Sequence, residues 1–443
     1  MKKFLPENFI RLTDISPFPL LVVGGSVRDF LCGTLKPEAD WDIAGAGSDE
    51  ELIATAKEAG FTVDAVYKNT GTVRLSDPSG VKYEFTRFRS DKYVRGLHAP
   101  AEIEFTADIK KDAVRRDFTA NAVYYDAKEE KFIDPLGGIP DIEKRIFRTV
   151  APAGKVFGED GLRLMRLARL AAETGFSPDK ECLAGAKKHA SLIRDIVPER
   201  IFTELTRLLN TDGENAYRGL HILKDTGVLK EIMPELALGD GLHQRADFHK
   251  HDVLEHSLRC VRYSQKDIRF AALLHDAGKP FCFYRDGNFY DHPAEGARIA
   301  GEILTRLKAP VKLINETKTL VALHMRDFNL QMKENKVRRT IAENFALLPK
   351  LLALFQADFS ACKDDLSPAP VALKWQRISE KMKSEGAPRS LKELKINGND
   401  LLKIGVKPEK IGHALNELLL FAIEDGSRNQ RELLIKRAEK LYT

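Results

Sequence analysis

Strand-forming sequence stops after "DPLGG" at residues 134–138, and no other feature constrains the fold as much. Before that point, short runs rich in β-branched and aromatic residues recur: "PLLVV" at 19–23, "DWDIAG" at 40–45, "FTVDAV" at 61–66, "TVRLS" at 72–76 and "VKYEFTRF" at 81–88. Helical stretches alternate with them. "SDEELIATAKEAG" offers Ser48 as a helix cap, Glu51 three residues later to complete a capping box, and Gly60 as a stop. "SDPSG" at 76–80 is a turn, which predicts a hairpin over 72–88. Beyond 138 the apolar residues fall at helical spacing over 159–174, 179–194, 198–210, 214–226 and onward. The expected class is therefore α+β, a mixed-sheet head followed by helices alone. A chain of 443 residues exceeds the roughly 250–300 residues at which single cores stop growing. Breaks are expected at "NTDGEN" (210–215) and "KDDLSPAP" (363–370), where Gly, Pro and Asp cluster.

Hydrophobic residues make up 43% and charged residues 30% of the chain, and no run approaches the ~18 uncharged apolar residues of a membrane span. No apolar run follows Lys2 and Lys3, so a secretory leader is not expected and the chain is read as cytoplasmic. Cys32, Cys182, Cys260, Cys282 and Cys362 lie far apart without CxxC spacing, as free thiols rather than a disulfide framework. The net charge of +5 is concentrated from Ser367 onward, where 15 Lys and Arg face 10 Asp and Glu. Such a surplus suits either a solvated helical surface or contact with a phosphate backbone.

The head's chemistry lies in "LLVVGGSVRDFLCGTLKPEADWDIAGAG", 20–47. Alternation along a strand puts Asp40 and Asp42 on one face, with Trp41 and Ile43 on the other. Paired carboxylates repel unless a cation joins them, and oxygen-only ligands suit Mg²⁺ and phosphoryl transfer. Glu84 is the best third carboxylate and Asp112 a weaker one. Gly24 and Gly25 let backbone approach a triphosphate, at a helix start that offers N–H groups, with Arg28 one turn in.

In this order the motifs resemble the class II tRNA nucleotidyltransferase and bacterial poly(A) polymerase family of the polymerase β superfamily. "GGSVRD" and "DWD" are followed by "RRDFTANA" (115–122), "DPLGG" (134–138), "EDGLRLMRLAR" (159–169) and "PERIFTEL" (198–205). A helix over "RRDFTANA" is expected to bring Asp117 and Asn121 together beside Arg116, and the resemblance gives them ribose and phosphate contacts. The resemblance also makes Asp160 and Arg163 a protein template for the incoming base, with Arg166 and Arg169 continuing along the helix. Asp160 can only accept, from the exocyclic amine of C or A, and Arg163 can only donate beside it, so U and G are refused. Glu159 is placed to hold Arg163. The stretch 89–114 resembles the family's flexible loop.

A second ordered set, "HDVLEHSL" (251–258), "LLHDAGKP" (273–280), "YDHPAEGA" (290–297), "LHMRDF" (323–328) and "LFQADF" (354–359), resembles the HD phosphohydrolases. The resemblance implies a metal site of His256, His275, Asp276 and Asp358, with His292 and His324 auxiliary. Such ligands suit Ni²⁺, Co²⁺ or Mn²⁺ better than Mg²⁺ alone. The roles open to His251 are orienting His256, contacting substrate or capping.

The expected organisation is a catalytic head (1–145), a nucleotide-selecting neck (146–212), a helical body with the HD site (213–365) and a basic tail that holds tRNA (366–443). The activity implied is addition of C, C and A from CTP and ATP to tRNA, with phosphatase or 2′,3′-cyclic phosphodiesterase action in the body, by a monomer or weak dimer. Two alternatives are a poly(A) polymerase, against which "FTRFRSDKY" after Glu84 leans, and an HD phosphohydrolase with a non-polymerising head, against which the intact DWD argues.

Overall fold

The computed structural model describes residues 4–36, 40–93, 100–245, 247 and 249–442. They divide into two compact units, Met1–Thr211 with Arg218–Pro234, and Asp212–Tyr217 with Glu235–Thr443.

The first unit holds helices α1 (Glu7–Ile15), α2 (Gly25–Leu31), α3 (Asp49–Glu58), α4 (Ile109–Val114), α5 (Gly138–Glu143), α6 (Ala153–Glu159), α7 (Leu162–Thr174), α8 (Lys180–His189) and α9 (Pro198–Leu209). Its strands are β1 (Leu21–Val23), β2 (Trp41–Gly45), β3 (Thr62–Tyr67), β4 (Thr72–Ser76), β5 (Lys82–Arg87), β6 (Arg89–Lys92), β7 (Glu102–Phe105), β8 (Tyr124–Asp126), β9 (Lys131–Ile133), β10 (Ile146–Phe147) and β11 (Ser177–Pro178), the last two a short parallel pair that corrects the expectation of helices alone beyond 138. Seven of these form one sheet in the order β3-β4-β5-β2-β1-β8-β9, with β2 and β5 parallel. A packed core under it includes Leu21, Val23, Ala44, Phe88, Ala122 and Tyr124.

The local signals resolve as their chemistry requires. Ser48 and Glu51 close the capping box of α3 from both sides. The expected hairpin is β4–β5, its turn held by Asp77, which accepts from the amides of Ser79 and Val81. Two helical expectations are corrected. "RRDFTANA" is not one helix: α4 ends at Val114, Phe118 is extended and bridges to Thr149, and only Thr119–Asn121 form a 3₁₀ turn. The helix expected over 159–174 is two, α6 and α7, and Asp160 lies extended between them.

The second unit is helical. Val253–Tyr263 packs on Leu348–Lys363 and Arg269–Leu274, and His292–Arg306 packs along Val311–Leu323. A separate apolar cluster of Leu401, Ala414, Leu418, Leu434 and Ala438 holds the C-terminal helices together. One stretch departs from the membrane expectation: Phe345–Lys363, 19 residues of mean hydropathy 1.3, is long and apolar enough to span by length and composition alone. Leu351, Leu354, Phe355 and Ala357 on it are buried against the neighbouring helices of this unit.

Candidate functional sites

The parallel pairing of β2 with β5 sets Asp42 directly beside Glu84, and the antiparallel pairing with β1 sets it beside Val23, next to the glycine turn. Asp40 immediately precedes β2, and both aspartates keep contact with solvent. Gly24, at φ +87°, leads into α2, and a Cβ built there would come within 2.8 Å of the Asp42 carboxylate. Gly24 therefore admits the carboxylate; a Cβ at Gly25 would meet only the Arg28 guanidinium, 3.5 Å away. Loss of hydration pushes the Asp42 carboxyl up to about 6, opposed by Arg116 and reinforced by Glu84 and Asp40. This concentration of negative charge fits a divalent cation held by Asp40 and Asp42. Glu84 is shared with Arg74, whose Nε donates to its carboxylate at 2.8 Å, an ion pair that solvent reaches on both sides.

Gly24→Ala is expected to place a methyl in strained backbone against Asp42 and to lower the nucleotide addition that the resemblance implies by about tenfold to a hundredfold. Gly25→Ala, whose methyl makes only an ordinary contact with the Arg28 guanidinium, is expected to fall less than threefold (roughly 0.6 kcal/mol) in the same extension assay.

A polar chain runs from α2 to α7. The buried Arg28 donates to Asn121 Oδ1 (2.6 Å), Asn121 Nδ2 donates to Asp117 Oδ1 (3.2 Å), and Arg166 donates through Nε and Nη2 to Asp117 Oδ2 (2.9 and 2.6 Å). The 3₁₀ turn thus brings Asp117 and Asn121 together without the expected helix. Although burial opposes it, Arg166 holds the Asp117 carboxyl well below the usual range. That stabilisation is present above the ordinary carboxylate pKa and is lost as pH falls. Arg116 turns instead to the fully buried Asp112 (3.1 Å) and lies over the Tyr124 ring. Asp112 also holds Arg115 at 2.7 Å and accepts from the Tyr124 hydroxyl at 2.6 Å. Asp112 is accordingly an anchor for two arginines, a role its spacing of three and four residues to them could have revealed.

Asp160 is fixed at the start of α7 by accepting from the Leu162 amide at 2.9 Å, and its carbonyl accepts from the Arg163 amide at 3.1 Å. The Arg163 guanidinium is buried, donating to Glu159 (3.0 Å), to the Val156 carbonyl (2.9 Å) and to the Arg115 carbonyl (2.8 Å), with Tyr93 against its face. Asp160 and Arg163 are thereby each held in place by the surrounding backbone and side chains. Of the loop 89–114, the arms β6 and β7 pair in register, and residues 94–99 lie outside the described residues.

Arg169 is not brought to this group. It lies buried between Glu204 on α9 (2.5 Å) and Glu173 (2.6 Å), tying α7 to α9. Arg169→Met is expected to lower stability by about 3 kcal/mol in urea unfolding, because Glu204 is left buried without its partner. The choice between C and A should be unchanged; an altered choice would return Arg169 to the nucleotide.

In the second unit, His256, His275, Asp276, His292, His324 and Asp358 converge from five helical segments. His256 Nε2 lies 2.9 Å from Asp358 Oδ1 and 3.1 Å from His275 Nε2. Asp276 Oδ2 lies 3.3 Å from His275 Nε2, and its Oδ1 lies 3.4 and 3.5 Å from His292 and His324. His275, His292 and His324 each bring Nδ1 within 2.7–2.8 Å of a backbone carbonyl, of Ala272, Phe289 and Val321. A proton on each Nδ1 leaves every Nε2 a lone pair, so imidazoles and carboxylates face one another as acceptors. That donor set fits a transition-metal cation. Lys279 lies 2.7 Å from Asp276 and donates to Gln244 at 2.6 Å. His251 faces Asp364 at 3.5 Å, away from His256. The ring against His256 belongs to His249, at a centroid distance of 4.9 Å, which the motif reading missed; burial pushes it down to about 4, with Lys279 and His256 adding.

With this geometry in place, comparison with known proteins locates the chain. A model described as the poly A polymerase head domain matches 20–148, one described as "Probable RNA and SrmB-binding site of polymerase A" matches 175–238, and one described as tRNA nucleotidyltransferase domain 2 matches 296–438. The A-adding tRNA nucleotidyltransferase of Deinococcus radiodurans is 30% identical over 440 residues, 93% of each chain. A multifunctional CCA protein of Xanthomonas campestris is 34% identical over 274 residues, 59% of this chain and 63% of its own. Among solved structures, the Bacillus stearothermophilus CCA-adding enzyme in complex with CTP superposes with a TM-score of 0.69 at 25% identity, covering 98% of both chains. The Thermotoga maritima CCA-adding enzyme complexed with tRNA shares the fold, with a TM-score of 0.64 at 20% identity over 97% of this chain and 93% of its own.

Proposed function

Because the chain belongs to the tRNA nucleotidyltransferase family, we propose that it adds C, C and A from CTP and ATP to tRNA 3′ ends without a nucleic-acid template. The observation that carries this reading is the pair Asp160–Arg163, joined through Arg115 to the segment that bears Asp117 and Asn121. In this reading the four parts keep the expected roles: transfer in the head (1–145), base choice in the neck (146–212), end processing in the body (213–365) and tRNA binding on the basic tail (366–443).

The terminal ribose hydroxyl of tRNA attacks the α-phosphate and pyrophosphate leaves. Asp40 and Asp42 hold Mg²⁺, with Glu84 as a third carboxylate once Arg74 yields it; the ion supplies charge neutralisation at the phosphates. Gly24 and Gly25 border the triphosphate, Arg28 and Arg116 add positive charge, and Asn121 with Asp117 orients the ribose. Arg166 keeps Asp117 ionised. Asp160 accepts from the exocyclic amine of C or A while Arg163 donates to the adjacent ring atom. Asp160→Ala is expected to erode discrimination against U and G by about tenfold to a hundredfold, read as the ratio of kcat/KM values for the four triphosphates. Selectivity equal to that of the wild type would remove Asp160 from base choice.

The relative matched over 93% of the chain is A-adding, which favours a second reading, addition of the terminal A alone. Offering CTP or ATP singly to tRNAs that lack three, two or one terminal nucleotides separates the two. Incorporation of C on the first two ends supports full CCA addition, and A on the last end alone supports the second reading.

For the second unit we propose a phosphohydrolase centre acting on 2′,3′-cyclic or terminal phosphates of damaged tRNA ends. His256, His275, Asp276 and Asp358 hold a transition ion such as Ni²⁺, Co²⁺ or Mn²⁺, which supplies Lewis acidity toward a phosphate ester. His292 and His324 lie beside it to meet the substrate phosphate or a second ion.

A further inference from the structure

His256 differs from the other three histidines of the centre. Their Nδ1 atoms are satisfied by backbone carbonyls, whereas His256 Nδ1 is fully buried and has no hydrogen-bond partner among the described residues. The same holds for His249 Nδ1. A buried imidazole nitrogen without a partner costs about 1–3 kcal/mol, so two of them side by side call for an explanation.

The third member of this group is a thiol. One ligand atom each from His249, His256 and Cys362 lies within 4.8 Å of the others. Cys362 falls one helical turn after Asp358 on Leu348–Lys363 and so shares its face. The placement of His249 is built into the backbone: the Lys250 amide donates to the Cys362 carbonyl at 3.0 Å, Lys250 Nζ to the Lys363 carbonyl at 3.2 Å, and Lys363 Nζ to the Asp247 carbonyl at 2.6 Å. The segment is thus pinned against the end of that helix, with His249 edge-on to His256 at an interplanar angle of 87°.

We propose that His249, His256 and Cys362 form a second metal site that flanks the six-residue centre and takes a thiophilic divalent ion, zinc above all. Two imidazoles and a thiolate are three-quarters of a tetrahedral zinc shell, whose ligand atoms stand roughly 3.5 Å apart. The fourth position is left to water. Cys362 would enter as the thiolate and His256 would offer the ring nitrogen left free by the neighbouring centre, so that binding would release protons from both. The donor set is softer than that of the neighbouring centre, which has no sulfur, and so the two positions differ in metal preference.

This proposal rests on the preceding reading only in that His256 also serves the phosphohydrolase centre. Cobalt separates the two. Titrating the metal-free full-length chain with Co²⁺ is expected to take up two equivalents, with visible d–d bands from both positions and a near-ultraviolet sulfur-to-cobalt charge-transfer band from Cys362 alone. Cys362→Ser and His249→Gln are expected to lose that band and one equivalent of tightly bound cobalt while keeping the d–d bands of the remaining equivalent, and Cys260→Ser, at the buried thiol beside His275, to keep the sulfur band. Uptake of cobalt without a sulfur band, a band that survives Cys362→Ser, or equal stoichiometry in all variants overturns the thiol site. Uptake of a single equivalent of cobalt by a chain that retains the sulfur band overturns the six-residue centre instead.

Discussion

Asp42→Asn is expected to lower nucleotide addition by about a thousandfold or more while leaving the first unit folded. The side chain is isosteric, and the strand pairing on both sides of β2 is backbone to backbone. On the proposed reading, what disappears is one of the two charges that would hold the cation at the triphosphate, a contribution of several kcal/mol to the transition state. Asp42 is also the carboxylate against which Gly24 has been kept without a side chain. Initial rates of label incorporation into tRNA, with circular dichroism as the check on folding, decide the matter; a loss below tenfold would move the reaction away from this strand.

Asp276→Asn is the second large effect. Asp276 is almost completely buried and its two oxygens stand between His275 on one side and His292 and His324 on the other. The amide keeps the volume but removes the charge that binds the cation and replaces one acceptor with a donor aimed at imidazoles. Release of phosphate from p-nitrophenyl phosphate or a cyclic nucleotide with Ni²⁺ is expected to fall about a thousandfold, with the nickel content lost by elemental analysis. Nucleotide addition should remain at the wild-type rate, because the residues proposed for transfer and base choice lie in the first unit and Asp276 is outside the tail proposed to hold tRNA. Retained hydrolysis would mean that the centre is not hydrolytic.

Most of the head was legible because its signals are local. Alternation placed Asp42 on its face, the turn at 76–80 fixed the β4–β5 register, and that register put Arg74 opposite Glu84. The capping box at Ser48 needed only four residues. What was not legible depended on partners far away in sequence. The segment 115–122 has helical spacing, yet Asp117 accepts from the Phe118 amide and from Arg166, 49 residues on, and those bonds hold the chain in an extended turn. Arg169 resembles its neighbours on α7 until Glu204, 35 residues away, claims it. In the second unit the motif residues were found by resemblance, but His249 carries no motif; only the bonds between 247–250 and the end of Leu348–Lys363 bring it to His256.

The central claim is that the head and neck together choose the nucleotide and also stop. It is tested most directly by incubating the full-length chain and Mg²⁺ with a tRNA lacking its three terminal nucleotides, all four triphosphates present, and reading product length at single-nucleotide resolution. The account predicts a product lengthened by C, C and A that then arrests without U or G. An open-ended run of A, or no extension of any tRNA end, would contradict it.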